Sequence, residues 1–592
     1  MVGAILYAAA PSVEAQVVPP PASEIPIPVK PKTDSGPDSA HVKPDSIKPP
    51  VGRFVDPLTT EIGSQYDWNR SELFATGALS LIDLLDRIPG VTTFRSGWLS
   101  TPQTATFNGD FRRVRIFYDG IEIDNLDNST GGVLDLSTIS MWSLEHLTIE
   151  RSASELRIYM RSWRVENTDP YTRVDVATGN EDTNLYRGFY GKRYENGGIF
   201  QLGGQQYGVA SSRFAGSGDA LSLLARVGVA KKKWSVDGFM DRVHSTRDVE
   251  RPTFGRPPIL PLDVTNTQAY LRAAVGRADG GPWAQLTAAS LVFKGTTGPD
   301  RSVGATSQPD TLERRISEAQ YTASGGLTRG PARLEIVDRL RAIAGSSTNS
   351  LSGRLDLATR AGLLSGFAER DGYRGTTNAD VGIRTQPLPF LAFSGSVARS
   401  TPINVNSSLA STTTSRGEVA LRILGPWISA GVVSNTKTEG LSPAVYDTLL
   451  LPTPAGTSTA QTLSIRGPLG RGFGIDSWVT RWDQTRPYQP QYQSRSELNF
   501  RNSFLRRFPR GDFELRASAV YEYRGHNVFP LAAGDVQVSN SRTISGLLEI
   551  RILRAVVSYQ QRNILAYPYF VIPGFEMPRV LAIYGVRWDF WN

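Results

Sequence analysis

LSLIDLLDRIPGV (residues 79–91) and RVRIFYDGIEID (residues 113–124) decide how this chain is read. Leu81, Leu84, Leu85 and Ile88 fall at i, i+3, i+4 and i+7, one face of a helix. Pro89-Gly90 stops that helix, because proline lacks the amide donor and turns the preceding residue away from helical geometry. Val114, Ile116 and Tyr118 then alternate with Arg115 and Phe117 up to Asp119-Gly120. Ile121 and Ile123 alternate with Glu122 and Asp124 beyond it. An Asp-Gly pair between alternating runs predicts a two-residue hairpin turn, whose backbone needs positive φ. LEHLTIER (144–151) and ELRIYMRSW (155–163) read as two further strands. Residues 53–170 thus form a small mixed α/β unit.

What surrounds this unit differs from it on both sides. Residues 2–10 (VGAILYAAA), followed by Val13-Glu14-Ala15, resemble the back half of a secretory signal peptide, giving an expected signal at 1–15. Residues 16–52 are rich in proline and cannot bury a core, so they are expected to form an extended periplasmic arm. From residue 171 to 592 the pattern becomes strand after strand. Phe513, Leu515, Ala517, Ala519, Tyr521 and Tyr523 share one face, opposite Glu514, Arg516, Ser518, Glu522 and Arg524. Such alternation alone fits a soluble sandwich as well as a membrane barrel. The connections discriminate. Ten short turns alternate with eleven more variable and usually longer loops, which predicts twenty-two antiparallel strands with both barrel ends in the periplasm.

Composition agrees. Hydrophobic residues make up 40% of 592, and no window approaches the run of roughly 20 apolar residues that a membrane helix needs. A barrel hides its apolar face by alternation. There is no cysteine, as suits an oxidising compartment, and the +8 formal charge is scattered. No nucleic-acid partner is implied. The four histidines, His41, His146, His244 and His526, are far apart in sequence, and no nucleophile elbow, zinc-protease motif or phosphate loop is present. Asp124, Asp127 and Asp135 flank Gly131-Gly132 and could ligate calcium, although solvated loop carboxylates explain them equally. No enzyme, cofactor or metal is expected.

These segments resemble the plug and barrel of TonB-dependent outer-membrane receptors. LSLIDLLDRIPGV is similar to the plug's opening helix and "iPGV" stop, RVRIFYDGIEID to its "DG" hairpin, and LEHLTIERSAS (144–154) to its "ieriEv.rGpas" segment. The final strand, with Gly585, Trp588 and Phe590, resembles the C-terminal signal read by the outer-membrane assembly machinery. The resemblance implies an all-β barrel of about 22 strands in outer-membrane lipid, filled by the N-terminal α/β plug. It further implies import of a scarce solute, such as an iron chelate, cobalamin or a glycan, driven through TonB. A TonB box, which TonB engages by strand addition, falls at Ser23, Glu24, Ile25, Ile27 and Val29, where Pro26 and Pro28 would each remove a donor. Where the family has an Arg-Gly strand this chain has Asn108-Gly109, and the "rGpas" turn is Arg151-Ser152-Ala153-Ser154. Asn108, Arg112, Arg113 and Arg115 are the candidates to face ligand or to join plug to barrel. The competing reading is a plugged barrel with a structural, adhesive or passive-channel role.

Overall fold

The computed structural model describes residues 65–165, 168–210, 217–276, 280–297, 312–404, 410–437 and 439–591. The expected signal, the proline-rich arm and the TonB box lie outside these residues. Twenty-two antiparallel strands close a barrel in simple sequence order, with the last strand, Leu581–Trp591, pairing with the first, Tyr171–Gly179. The expected short turns that lie within the described residues are found, the longest spanning residues 503–512. Alternation decides which way each strand faces. Leu223, Val227 and Tyr521 are 47%, 56% and 42% exposed, whereas Arg226 and Glu514 are buried. The apolar face therefore looks outward and the charged face inward, the reverse of a soluble sandwich and the arrangement a lipid-embedded barrel requires. Among the described residues no helix is long and apolar enough to cross a membrane.

The last strand presents Tyr584, Val586 and Trp588 outward, and Trp588 stacks on Phe590 with ring centroids 5.1 Å apart. Gly585 has a steric reason, since a Cβ there would lie 2.6 Å from that of Ala177 on the first strand.

Inside the barrel sits a five-stranded mixed sheet. Its strands are β1 (Gln65–Asn69), β4 (Val114–Tyr118), β5 (Ile121–Glu122), β6 (Leu144–Arg151) and β7 (Leu156–Ser162), in the order β1-β6-β7-β4-β5. Two short helices, α1 (Arg70–Ala75) and α2 (Leu81–Leu85), and a separate hairpin of β2 (Val91–Arg95) and β3 (Gln103–Phe107) complete the plug. Leu81, Leu84, Leu85 and Ile88 are all fully buried in its core, as their spacing predicts. Asp119 and Gly120 both take positive φ, 50° and 85°, so the Asp-Gly turn is the primed type expected. The return strand is shorter than the alternation suggests. After Ile123 donates to the Ile116 carbonyl, the chain departs toward the barrel, where Asp124 meets Arg341.

Candidate site at the plug and barrel seam

The plug meets the wall through apolar packing, as where Trp163 stacks on Phe189 and Tyr118 on Phe239, and through a network of buried charge. Glu122, at the end of β5 and fully buried, is the centre. Arg115 on β4 binds it with two bonds of 2.8 and 2.9 Å. Arg339 and Arg341 of the barrel reach the same carboxylate at 2.8 and 2.5 Å, and Arg374 at 3.1 Å. Arg115 in turn donates to Glu369 of the wall, and Arg341 to Asp124 at 2.8 Å. Burial alone would raise the Glu122 carboxyl, but four guanidiniums hold it well below the usual carboxylate range. Asp124 goes the other way: burial and neighbouring Glu122 raise it above its ordinary value, outweighing Arg341.

Similar pairs continue around the plug. Arg354 clamps Glu150 with two bonds of 3.0 Å, and these bonds hold the Glu150 carboxyl at about 2 against its burial. Arg87 pairs with Glu497 at 2.5 Å, Asp83 with Arg562 at 2.7 Å, and Arg164 with Asp237 at 2.9 Å. Asp119 meets Arg226 at 3.3 Å and accepts from the Tyr270 hydroxyl at 2.9 Å. Breaking one buried pair costs about 3–5 kcal/mol, yet replacing the whole pair by packed apolar groups is often neutral. Such an interface holds position and register.

The sequence candidates fall in different places. Arg115 is at the centre of the network. Arg113 donates to Asn435 at 2.6 Å and to the Thr436 carbonyl at 3.2 Å, at the upper end of a barrel strand. Arg112, partly exposed, pairs with Asp110 at 3.3 Å and donates to the Glu439 carbonyl. Asn108 lies within the plug: in the left-handed region, with φ 51°, it donates its amide to the Gly90 carbonyl at 2.9 Å. Asp127 and Asp135 accept amides of their own turns, from Ser129 and Ser137. Among the described residues no cluster of potential metal ligands is found.

Above the plug, the extracellular loops form a lid that the sequence does not announce. Phe94, Trp98 and Phe111 of the plug pack with Tyr446, Tyr488, Phe529, Ile572 and Phe575 of the loops into one apolar cluster. The Tyr446 hydroxyl lies 2.7 Å from the Phe94 carbonyl oxygen and 2.9 Å from that of Pro102. Two loop hairpins, Asn527–Phe529 with Val536–Val538 and Phe570–Ile572 with Phe575–Glu576, stiffen it. Below the lid a cavity of about 120 Å³ separates the plug turn 123–140 from the wall. Asp241 and Gln268 line it; Ser222 donates to Asp241 at 3.2 Å, and the Gln268 amide nitrogen is buried without a partner.

Glu250, in the loop 248–261, accepts from Ser96 of the plug at 2.8 Å. Burial pushes its carboxyl up to about 7. The closed loop therefore binds a proton more tightly than the open one. This contribution to closure is full below the ordinary glutamate range near 4.3 and is lost as pH rises through about 7. Relative to the intrinsic, base-catalysed exchange rate, protection of residues 248–261 is expected to fall from pH 5.5 to 8, and Glu250→Gln to abolish that fall in protection.

Residues 60–161 match the family model of the TonB-dependent receptor plug domain. The fold matches the siderophore receptor PirA from Acinetobacter baumannii at a TM-score of 0.68 and 11% identity, covering 89% of this chain and 98% of that one. It matches the FrpB iron transporter from Neisseria meningitidis at 0.68 and 12%, covering 90% and 100%. The ferric enterobactin receptor PfeA of Pseudomonas aeruginosa gives 0.67 and 10%, covering 90% and 100%. A search of curated proteins finds no match. The molecule is a plugged β-barrel of the Gram-negative outer membrane. Residues 60–161 are similar to the plug domain of the TonB-dependent receptor family, and the fold is the one shared by solved structures titled receptors and transporters.

Proposed function

We propose that this protein imports a scarce solute across the outer membrane, powered through TonB. The observation that carries the reading is the seam. A folded plug held by buried ion pairs, with an apolar lid above and a small cavity beneath it, suits a stopper that is moved and reseated. In this reading residues 1–15 are the signal, 16–52 the periplasmic arm, 53–170 the plug and 171–592 the barrel. Ser23–Val29 offers TonB its strand, and Gly585, Trp588 and Phe590 present the last strand to the assembly machinery. Arg113 and Arg115 hold the plug against the wall, with Arg112 and Asn108 near its upper turns. The solved neighbours are titled siderophore and iron receptors, which favours an iron chelate over cobalamin or a glycan.

The test is uptake into cells expressing the receptor, using ⁵⁵Fe-labelled citrate, catecholate and hydroxamate chelates and ⁵⁷Co-cobalamin. One of these is expected to accumulate only when TonB is present and the proton-motive force intact. Accumulation that persists after the force is dissipated would instead support the passive-channel reading.

A further inference from the structure

The periplasmic mouth of the seam holds a second cavity, of about 470 Å³, between α1 and the wall. Its wall residues lie at the periplasmic strand ends: Tyr171 opens the first strand, Arg501 precedes the turn 503–512, and Arg551 precedes the turn after Ile552. Six arginines line it: Arg70, Arg173, Arg501, Arg516, Arg551 and Arg587. Against them stand only Glu514, Glu549 and Asp589.

The carboxylates are already shared out. Glu514 accepts from Arg501 at 3.1 Å and from Arg516, and lies 3.4 Å from Arg551. Glu549 is 3.7 Å from Arg587. Asp589 accepts from the Tyr171 hydroxyl and is 3.9 Å from Arg173, which is itself clamped by Asp175 at 2.6 Å. Among the described residues Arg70 of the plug forms no ion pair within 4.0 Å, and Asp589 acts on it only at longer range. It donates to the Tyr171 hydroxyl at 3.1 Å and stacks over Trp163. Phe74, one turn along α1, has Arg173 over its ring at 3.7 Å and Arg587 at 4.8 Å. At Glu122, Glu150, Asp83 and Asp119 the plug sets a carboxylate against arginines of the wall. Here an arginine and a phenylalanine of the plug face arginines of the wall, leaving positive charge uncompensated around an open volume.

We propose that this cavity is a binding site for a multivalent anion bearing carboxylate or phosphate groups, which receives the acidic groups of a solute leaving the seam. Planar guanidiniums present paired donors that match such groups, and fixed positive charge beside a protein wall raises their local concentration. The solute's part in this rests on the import reading; the anion site does not.

Calorimetric titration of the full detergent-solubilised receptor separates the two, because it needs neither TonB nor energy. The probes are pyrophosphate, as a free anion, and ferric citrate, as an anionic chelate. Saturable binding of both is expected, weakened by salt and about tenfold or more by Arg70→Gln, as loss of a charge-assisted bond implies. Arg551→Gln, at the rim, should weaken it similarly while leaving the plug's own residues unaltered. Heat-modifiable migration on gels shows that each variant keeps its barrel. Binding of pyrophosphate alone supports the site and assigns it to free anions. No saturable binding, or binding indifferent to both variants, overturns the proposal.

Discussion

Glu122→Gln is expected to unseat the plug. The change removes one negative charge from the reach of Arg115, Arg339, Arg341 and Arg374, all buried or nearly so. Their charges remain without the shared acceptor, at a cost of about 3–5 kcal/mol, the scale for breaking a buried pair from one side. Asp124 and Glu369 still offset part of it, through Arg341 and Arg115. The barrel ladders do not depend on Glu122, so the strands should stay closed while the plug loosens. Cells carrying the variant should become sensitive to large hydrophilic antibiotics that a 22-stranded barrel admits only when unplugged. Trypsin should cut the plug in the purified variant. A variant as impermeable and protease-resistant as the parent would show that the network does not hold the plug.

The second large effect concerns movement. A Cβ built on Gly218, at the extracellular rim of a barrel strand, lies 2.9 Å from that of Ser100 in the plug's upper loop. The Ser100 hydroxyl already donates to the Gly218 carbonyl at 3.0 Å. The same Cβ would lie 2.4 Å from the Thr246 carbonyl oxygen on the neighbouring strand, so the rim must yield there as well as by the shift of about 1 Å that brings the pair to the ~3.8 Å Cβ separation of a disulfide. The chain has no cysteine of its own, so Ser100→Cys with Gly218→Cys can form only the intended bridge. Oxidised, the double variant should lose uptake altogether; reduced, it should regain it. Full uptake with the bridge closed, as measured by gel shift, would mean that the plug apex need not leave the rim.

Much of this architecture is written locally. The Asp-Gly turn, the Pro-Gly stop and the alternation of strands such as Phe513–Arg524 act over a few residues, so they can be read without partners. The strand total followed from turns for the same reason. The asparagine cap of α1, in which Asn69 and Glu72 bond each other's amides, has an equally local signature. The seam and the lid were not legible. Arg115 meets a glutamate 254 residues away, and Tyr446 meets a carbonyl 352 residues away. No period or motif carries such distances. Asn108, standing where the family has arginine, is one of four candidates at the seam, and its replacement alone does not say which of them joins plug to wall. The structure instead anchors β4 through Arg115, seven residues further on, whose alternation with Val114 and Ile116 gave only its face and not its partners.

Import as proposed requires that the plug be coupled to TonB. The direct measurement is binding of the full-length receptor to the periplasmic domain of TonB from the same organism, by surface plasmon resonance. A saturable complex that disappears when residues 23–29 are deleted is the expected result. No complex, in the presence or absence of the chelates used for uptake, would contradict the account and leave a plugged barrel that no energy source reaches.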